Sequence, residues 1–195
     1  ILYDPPNLPV LDGVSLKTRW EPLLGYPVWV GNDANLAALG EFCYGVGKDS
    51  FSGGTPLRTL VYVTVSTGIG GGVVDRGQVF LGARGFSSEI GHLIIDRSES
   101  APQCQCGNRG CLESLASGTA IARIAKAKLI EVWPAKDVES LTSESVFQAA
   151  AQGDRLATEI CETVTKSLSM GLTNAVHLFN PDLLVMGGGV TAGLT

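Results

Sequence analysis

The sequence predicts an α/β fold, and three observations carry that prediction. Thr59–Val65 is rich in β-branched and aromatic residues, the composition of a strand. Leu183–Met186 is a second apolar run, closed by three glycines. Between them Leu156, Ile160, Val164, Leu168, Leu172 and Val176 recur every four residues, the spacing of a helix with one apolar face. Strands and helices therefore alternate along the chain.

Length and composition set the bounds. A chain of 195 residues makes one domain or two small ones. Apolar residues at 45% and charged residues at 17% describe a globular core. A net charge of −5 argues against a nucleic-acid-binding surface in this segment. No apolar run reaches bilayer length and no secretory signal opens the chain, so no membrane contact is expected. Five cysteines, three of them close together, suit a reducing cytoplasm. Cys43 and Cys161 lie in apolar helical patterns and read as buried small hydrophobes.

Residues 1–27 are rich in Pro and Gly, with an amphipathic piece from Ser15 to Leu24. Pro27-Val-Trp-Val-Gly31 reads as a short buried strand. Asn32-Asp33-Ala34-Asn35 then caps a helix whose apolar stripe is Leu36, Ala37, Leu39, Phe42 and Cys43, with Gly45 and Gly47 ending it. Residues 48–58 are a polar loop. After the strand Thr59–Val65, Ser66-Thr67-Gly68-Ile69-Gly70-Gly71-Gly72 reads as a glycine-rich turn, followed by a hairpin through Asp75-Arg76-Gly77. Residues 82–91 form a Gly/Ser loop, and Leu93–Ile95 a short strand. One helix is expected from Ser114 to about Leu129, broken by Pro134. A second runs over Ser143–Ala151 and a long third over Asp154 to about Leu178, stopped by Asn180-Pro181-Asp182. The last element is the buried strand Leu183–Met186, running into Gly187-Gly188-Gly189.

Chemistry concentrates between His92 and Glu113. His92, Cys104, Cys106 and Cys111 supply an imidazole and three thiols, a set that closes a tetrahedral structural zinc site, and Gly107 and Gly110 let the backbone turn between them. Reduced surface thiols, or a disulfide with a spare cysteine, are the alternatives, and Cys-x-Cys is a strained disulfide pair. Glu89 and Glu113 flank this loop, placed to hydrogen-bond a polyhydroxylated ligand. Asp33 sits at a strand-to-helix junction, where negative charge is favoured and functional groups gather. The glycine turn at 66–72 can present backbone N–H groups to phosphate, although it has no Walker lysine, and an ordinary hairpin loop is the alternative.

Gly91-His92, eleven residues, then Cys104-Gln-Cys106-Gly-Asn-Arg-Gly-Cys111-Leu-Glu113 resembles the signature of the ROK family, which contains bacterial sugar kinases and sugar-responsive repressors. Asn32-Asp-Ala-Asn35 and Thr67-Gly-Ile-Gly-Gly-Gly72 match further family motifs, and Leu112–Arg123 leans toward the glucokinase branch. The resemblance implies an actin-like ATPase (ribonuclease H-like) fold, present in part. Residues 1–31 would finish the smaller domain, and residues 32–195 would form most of the larger sugar- and zinc-binding one. It implies Asp33 as catalytic base, with hexose or N-acetylhexosamine held by Asn32, Asp33, Glu89, His92 and Glu113. It further implies structural zinc on His92, Cys104, Cys106 and Cys111, with His92 also facing the sugar. ATP would lie against Thr67, Gly68, Gly187 and Gly188, with Mg²⁺ in the full-length enzyme. Asn7-Leu8-Pro9 resembles an upstream segment near the sugar. A homo-oligomer is implied.

Two departures stand beside these matches. Ser66 replaces the usual Gly of the second phosphate loop, and the family's first phosphate loop, Asp-x-Gly-x-Thr, does not occur. The chain therefore reads as truncated at both ends and inactive by itself, from an ATP-dependent, glucokinase-like hexose kinase. A ROK repressor, or a zinc-stabilised sugar-binding module without catalysis, are the alternatives.

Overall fold

The structure, a computed structural model, describes residues 9–49, 56–132, 138 and 140–191. The expectations for Asn7 and Leu8, for the loop at 50–55 and for the break at Pro134 lie outside the described residues. The chain divides into two compact units, Ile1–Asp33 and Ala34–Thr195.

In the first unit a 3₁₀ turn, Pro9–Leu11, precedes helix α1, Leu16–Leu24. Ser15 caps α1 by accepting the Thr18 N–H, and Gly25 ends it in the left-handed conformation at φ 68°. The strand expected at Pro27–Gly31 is not formed: Trp29 is 82% and Val30 50% exposed. An apolar run becomes a strand only when a neighbour accepts its ladder hydrogen bonds, and no described residue pairs with this one.

The second unit is built on a four-stranded sheet, in the order β3-β2-β1-β4, comprising β1 (Thr59–Val65), β2 (Ile69–Asp75), β3 (Gln78–Val79) and β4 (Leu183–Gly187). β1 pairs antiparallel with β2 and parallel with β4. The hairpin from β2 to β3 turns at Arg76 and Gly77, both at positive φ, as a type I′ turn requires. Burial alternates along the sheet. Val61, Val63 and Val65 enter one core with Leu112, Ile121, Ile160 and Val164, while Leu60 and Val74 enter another with Ala38 and Phe42. Covering on both faces explains why β1 reads as a continuous apolar run. Each such buried valine contributes about 1.5–3 kcal/mol.

Helix α2 (Asp33–Cys43) covers one face, and α3 (Val46–Asp49) follows it, so Gly47 lies inside a helical turn rather than past one. Helices α4 (Leu112–Ala116), α5 (Gly118–Val132), α6 (Ser143–Ala151) and α7 (Arg155–Phe179) belong to the other side. Several expectations are corrected here. The glycine turn is only Ser66–Gly68. Gly70 and Gly72 are strand residues that let α2 lie close, since a Cβ at Gly72 would stand 2.8 Å from the Cβ of Ala38. The single helix from Ser114 is two helices, because Ser117 is extended (φ −72°, ψ 165°) and its hydroxyl accepts the Ala120 N–H to start α5. The strand at Leu93–Ile95 is reduced to one bridge between Ile94 and Cys111, after a 3₁₀ turn at Ile90–His92. β4 is half-buried at the sheet edge rather than buried, and Cys43 is exposed. The buried stripe of α7 is Ala157, Ile160, Val164, Leu168, Gly171 and Ala175, while Val176 is exposed. A strict four-residue repeat drifts round a helix of 3.6 residues per turn, so the stripe shifts to three-residue steps.

Candidate functional site

His92, Cys104, Cys106 and Cys111 converge. One ligand atom from each lies within 4.8 Å of all the others. Cys104 Sγ is 3.6 Å from His92 Nδ1, and Cys106 Sγ is 3.6 Å from Cys111 Sγ. A tetrahedron of Zn–S bonds near 2.3 Å has edges of about 3.8 Å, so the four donors fit a zinc ion. Local turns bring them together: the Cys104 N–H donates to the Asn108 carbonyl and the Gly107 N–H to the Cys104 carbonyl, with Gly107 and Gly110 at positive φ. Gly110 has a strict reason to be glycine, because a Cβ there would overlap the Asp96 carbonyl.

The thiols are electrostatically unequal. Burial pushes the Cys111 thiol up to about 12, with hydrogen bonds to Cys106 and Cys104 adding to it. Burial also raises Cys104, whereas the Asn108 backbone N–H lowers Cys106. Three sulfurs this close cannot all ionise without a counter-charge, which a bound dication supplies.

Glu113, two residues beyond Cys111, reaches the turn between β1 and β2. Its Oε2 accepts the Ile69 N–H at 2.9 Å. It lies so close over Gly68 that a Cβ there would stand 2.5 Å from it. On the other side of the turn, the Ser66 carbonyl accepts the Gly118 N–H at 2.7 Å and the Thr67 carbonyl accepts the Thr119 hydroxyl at 2.8 Å. The turn's first two carbonyls are thus committed to the start of α5.

A cleft of about 740 Å³ opens beside this turn. Ser66 and Thr67 line it with Gly118 and Thr119, and Gly189 and Val190 close it from the end of β4. Arg123 and Lys126 add positive charge along α5, and Glu144 adds a carboxylate from α6. The N-terminus of α5 also lies here, and a helix N-terminus with neighbouring cations suits an anion.

Of the residues singled out from the sequence, Thr67 lines this cleft, but Gly68, Gly187 and Gly188 are not among its lining residues. Gly68 meets Glu113, Gly187 packs on Tyr62, and Gly188, at φ +99°, packs on the Val65 carbonyl. Glu89 is exposed, directly before the 3₁₀ turn that carries His92. Ser88 beside it holds φ 63°, and its buried hydroxyl has no hydrogen-bond partner among the described residues. Asn32 and Asp33 are exposed and belong to the first unit, with Asp33 opening α2. The α5 wall was missed, although Thr119, Ala122, Arg123 and Lys126 have the spacing of one helix face and Ser117-Gly118 is a helix-start signal.

The model of the ROK family matches residues 1–193. The chain is 35% identical over 192 residues to a glucokinase of Thermotoga maritima, covering 95% of this chain and 58% of that protein. It is 33% identical over 191 residues to the xylose repressor of Caldicellulosiruptor bescii, covering 93% of this chain and 44% of the repressor. A crystal structure of a ROK family glucokinase from Streptomyces griseus, in complex with glucose and AMPPNP, matches at TM-score 0.74 and 31% identity, over 91% of this chain and 57% of that one. The chain spans about half the length of the curated relatives it matches.

Proposed function

Because the chain belongs to the ROK family, with its actin-like α/β fold, we propose that it forms the sugar-, zinc- and nucleotide-binding part of an ATP-dependent hexose kinase. The observation that carries this reading is the cleft between the Ser66–Gly68 turn, the N-terminus of α5 and Gly189-Val190. A sugar sensor needs one site for its effector. A kinase needs a second cleft fitted to polyphosphate, next to the sugar residues, and Glu113, two residues beyond Cys111, accepts the Ile69 N–H at the end of the turn.

In this reading Asn32, Asp33, Glu89, His92 and Glu113 hold the sugar hydroxyls, and Thr67, Gly68 and the Gly187–Gly189 turn approach the nucleotide. Asp33 orients the attacking hydroxyl and takes its proton as the new O–P bond forms and the bond to the β-phosphate's bridging oxygen breaks, leaving ADP and the sugar phosphate. Mg²⁺ would partner the phosphates in the whole protein. Zinc on His92, Cys104, Cys106 and Cys111 would hold the loop rigid, with no open position for chemistry. Residues 1–31 would belong to the smaller domain and residues 32–195 to the larger. The whole protein would be a cytoplasmic homo-oligomer. Among the described residues no helix is long and apolar enough to cross a membrane.

The repressor reading rests on the similarity to the xylose repressor. A coupled assay on the full-length protein, with ATP, Mg²⁺ and a panel of hexoses and N-acetylhexosamines, tests the two. The kinase reading expects turnover on one sugar, reduced by about 10²–10⁴-fold in Asp33→Asn with sugar binding kept. Sugar binding without turnover on any member of the panel favours the repressor.

A further inference from the structure

Glu113 sits between two features that the sequence presents as separate: the cysteine loop and the glycine turn. Its backbone is fixed by the loop. Cys111 is fully buried and bridges to Ile94, and the Leu112 N–H donates to the Leu93 carbonyl at 2.9 Å. Its side chain crosses to the turn and accepts the Ile69 N–H at 2.9 Å.

The turn is gripped from its other end by α5. The Gly118 N–H and the Thr119 hydroxyl hold the carbonyls of Ser66 and Thr67, and the Ser66 N–H closes the turn on the Gly68 carbonyl at 2.9 Å. Among the described residues, no acceptor is bonded to the N–H groups of Thr67 and Gly68. The turn thus has its first carbonyls tied to protein and two successive N–H groups left for an anion, the pattern of a phosphate-binding nest. That pattern persists only while both grips hold, and one of them is a carboxylate two residues from a metal ligand.

We infer that Glu113 is a positioning residue through which the metal-bound state of the His92–Cys111 loop sets nucleotide affinity, by holding the Ser66–Gly68 turn in its anion-binding shape. This rests on reading the cleft as a nucleotide site. Losing the metal frees the loop, and Glu113 no longer meets Ile69 at a fixed distance. The turn then samples other shapes, and nucleotide binding must reorder it. Glycine at 68 belongs to the same device, since a Cβ there would occupy the place of the Glu113 carboxylate.

The test uses the full-length protein in four forms: metal-loaded wild type, metal-stripped wild type, Glu113→Ala and Glu113→Gln. Hydrogen exchange of the Ile69 amide and the affinity for ADP, without sugar, are measured in each. Removing a charged acceptor should speed exchange at Ile69 and weaken ADP binding about tenfold in Glu113→Ala, with a similar change on stripping the metal. Glu113→Gln keeps an oxygen acceptor and should stay within about twofold of wild type. ADP binding that is equal in all four forms overturns this inference alone. Equal loss in the Ala and Gln variants also overturns it, because a positioning hydrogen bond is rescued by the amide. Failure of ADP to bind any form overturns the nucleotide reading and this inference with it. Should Glu113→Ala not fold, the loaded and stripped wild-type proteins decide, with circular dichroism checking that the stripped protein keeps its helices.

Discussion

Gly188→Ala separates two explanations for the glycines that end β4. A ligand-based explanation says that a side chain there would block the nucleotide. The structure gives another: Gly188 holds φ +99°, and a Cβ would overlap the Val65 carbonyl oxygen and stand 2.7 Å from its carbon and 2.8 Å from Thr64 Oγ1. An L-residue in the left-handed region costs about 1–2 kcal/mol. Overpacking against backbone that cannot swing aside adds about 1–3 kcal/mol. The lower entropy of the unfolded alanine chain offsets about 0.4–1 kcal/mol. The net loss is about 1–4.6 kcal/mol. The damage also spreads to the cleft, because the Val190 N–H donates to the same Val65 carbonyl at 3.0 Å. Gly189→Ala is the control: nothing lies within 4 Å of its Cβ and its φ is not positive, so stability should hold. Urea unfolding of the full-length variants measures the loss, and ADP titration measures the cleft. Gly188→Ala within about 0.5 kcal/mol of wild type, the ordinary range of a surface substitution, would refute the packing argument. Wild-type stability with lost ADP affinity would restore the ligand-based one.

Three further outcomes follow from single contacts. Cys111→Ser should lower bound zinc, and zinc affinity of the wild type should fall as pH falls, because thiols that burial keeps protonated must lose their protons to bind metal; competition with a chromophoric chelator across pH checks this, and a flat profile would refute thiolate ligation. Asp182 Oδ2 accepts the backbone N–H groups of Thr59 and Arg58, both at 2.9 Å, which lowers its pKa from 3.8. Its contribution is therefore present above pH 3.8 and lost as pH falls through the lowered folded value, so Asp182→Asn should flatten the acid limb of the stability curve, read by thermal melts at graded pH. Asp154→Ala removes the cap that accepts the Ala157 N–H at 2.8 Å and should cost about 1 kcal/mol in denaturant unfolding, against no change if the long helix needs no cap.

Features that depend on local pattern are legible in the sequence. Thr59–Val65 and Ser143–Ala151 are found with the boundaries their composition predicts, and Asp154 caps α7 where the polar residue precedes the apolar stripe. The spacing of one histidine and three cysteines also foretold that their ligand atoms would meet, because short turns with glycine leave little freedom between them. Features that depend on partners distant along the chain are not legible there. Pro27–Gly31 has strand composition but no strand among the described residues to pair with, and composition cannot supply one. Gly70 and Gly72 belong to a stretch that reads as a phosphate-facing turn, and Gly188 to a separate one placed against the nucleotide. In the fold Gly70 and Gly72 admit Ala34 and Ala38, and Gly188 admits the Val65 carbonyl, neighbours 34 to 123 residues away in α2 and β1. The cleft is the clearest case. It is assembled from the end of β1, the start of α5, the start of α6 and the end of β4, so no single window of sequence contains it. Periodicity fixes which face of an element is apolar, but only the pairing of β1 with β4 and the grip of α5 on the Ser66–Gly68 turn fix which polar atoms end up sharing one space.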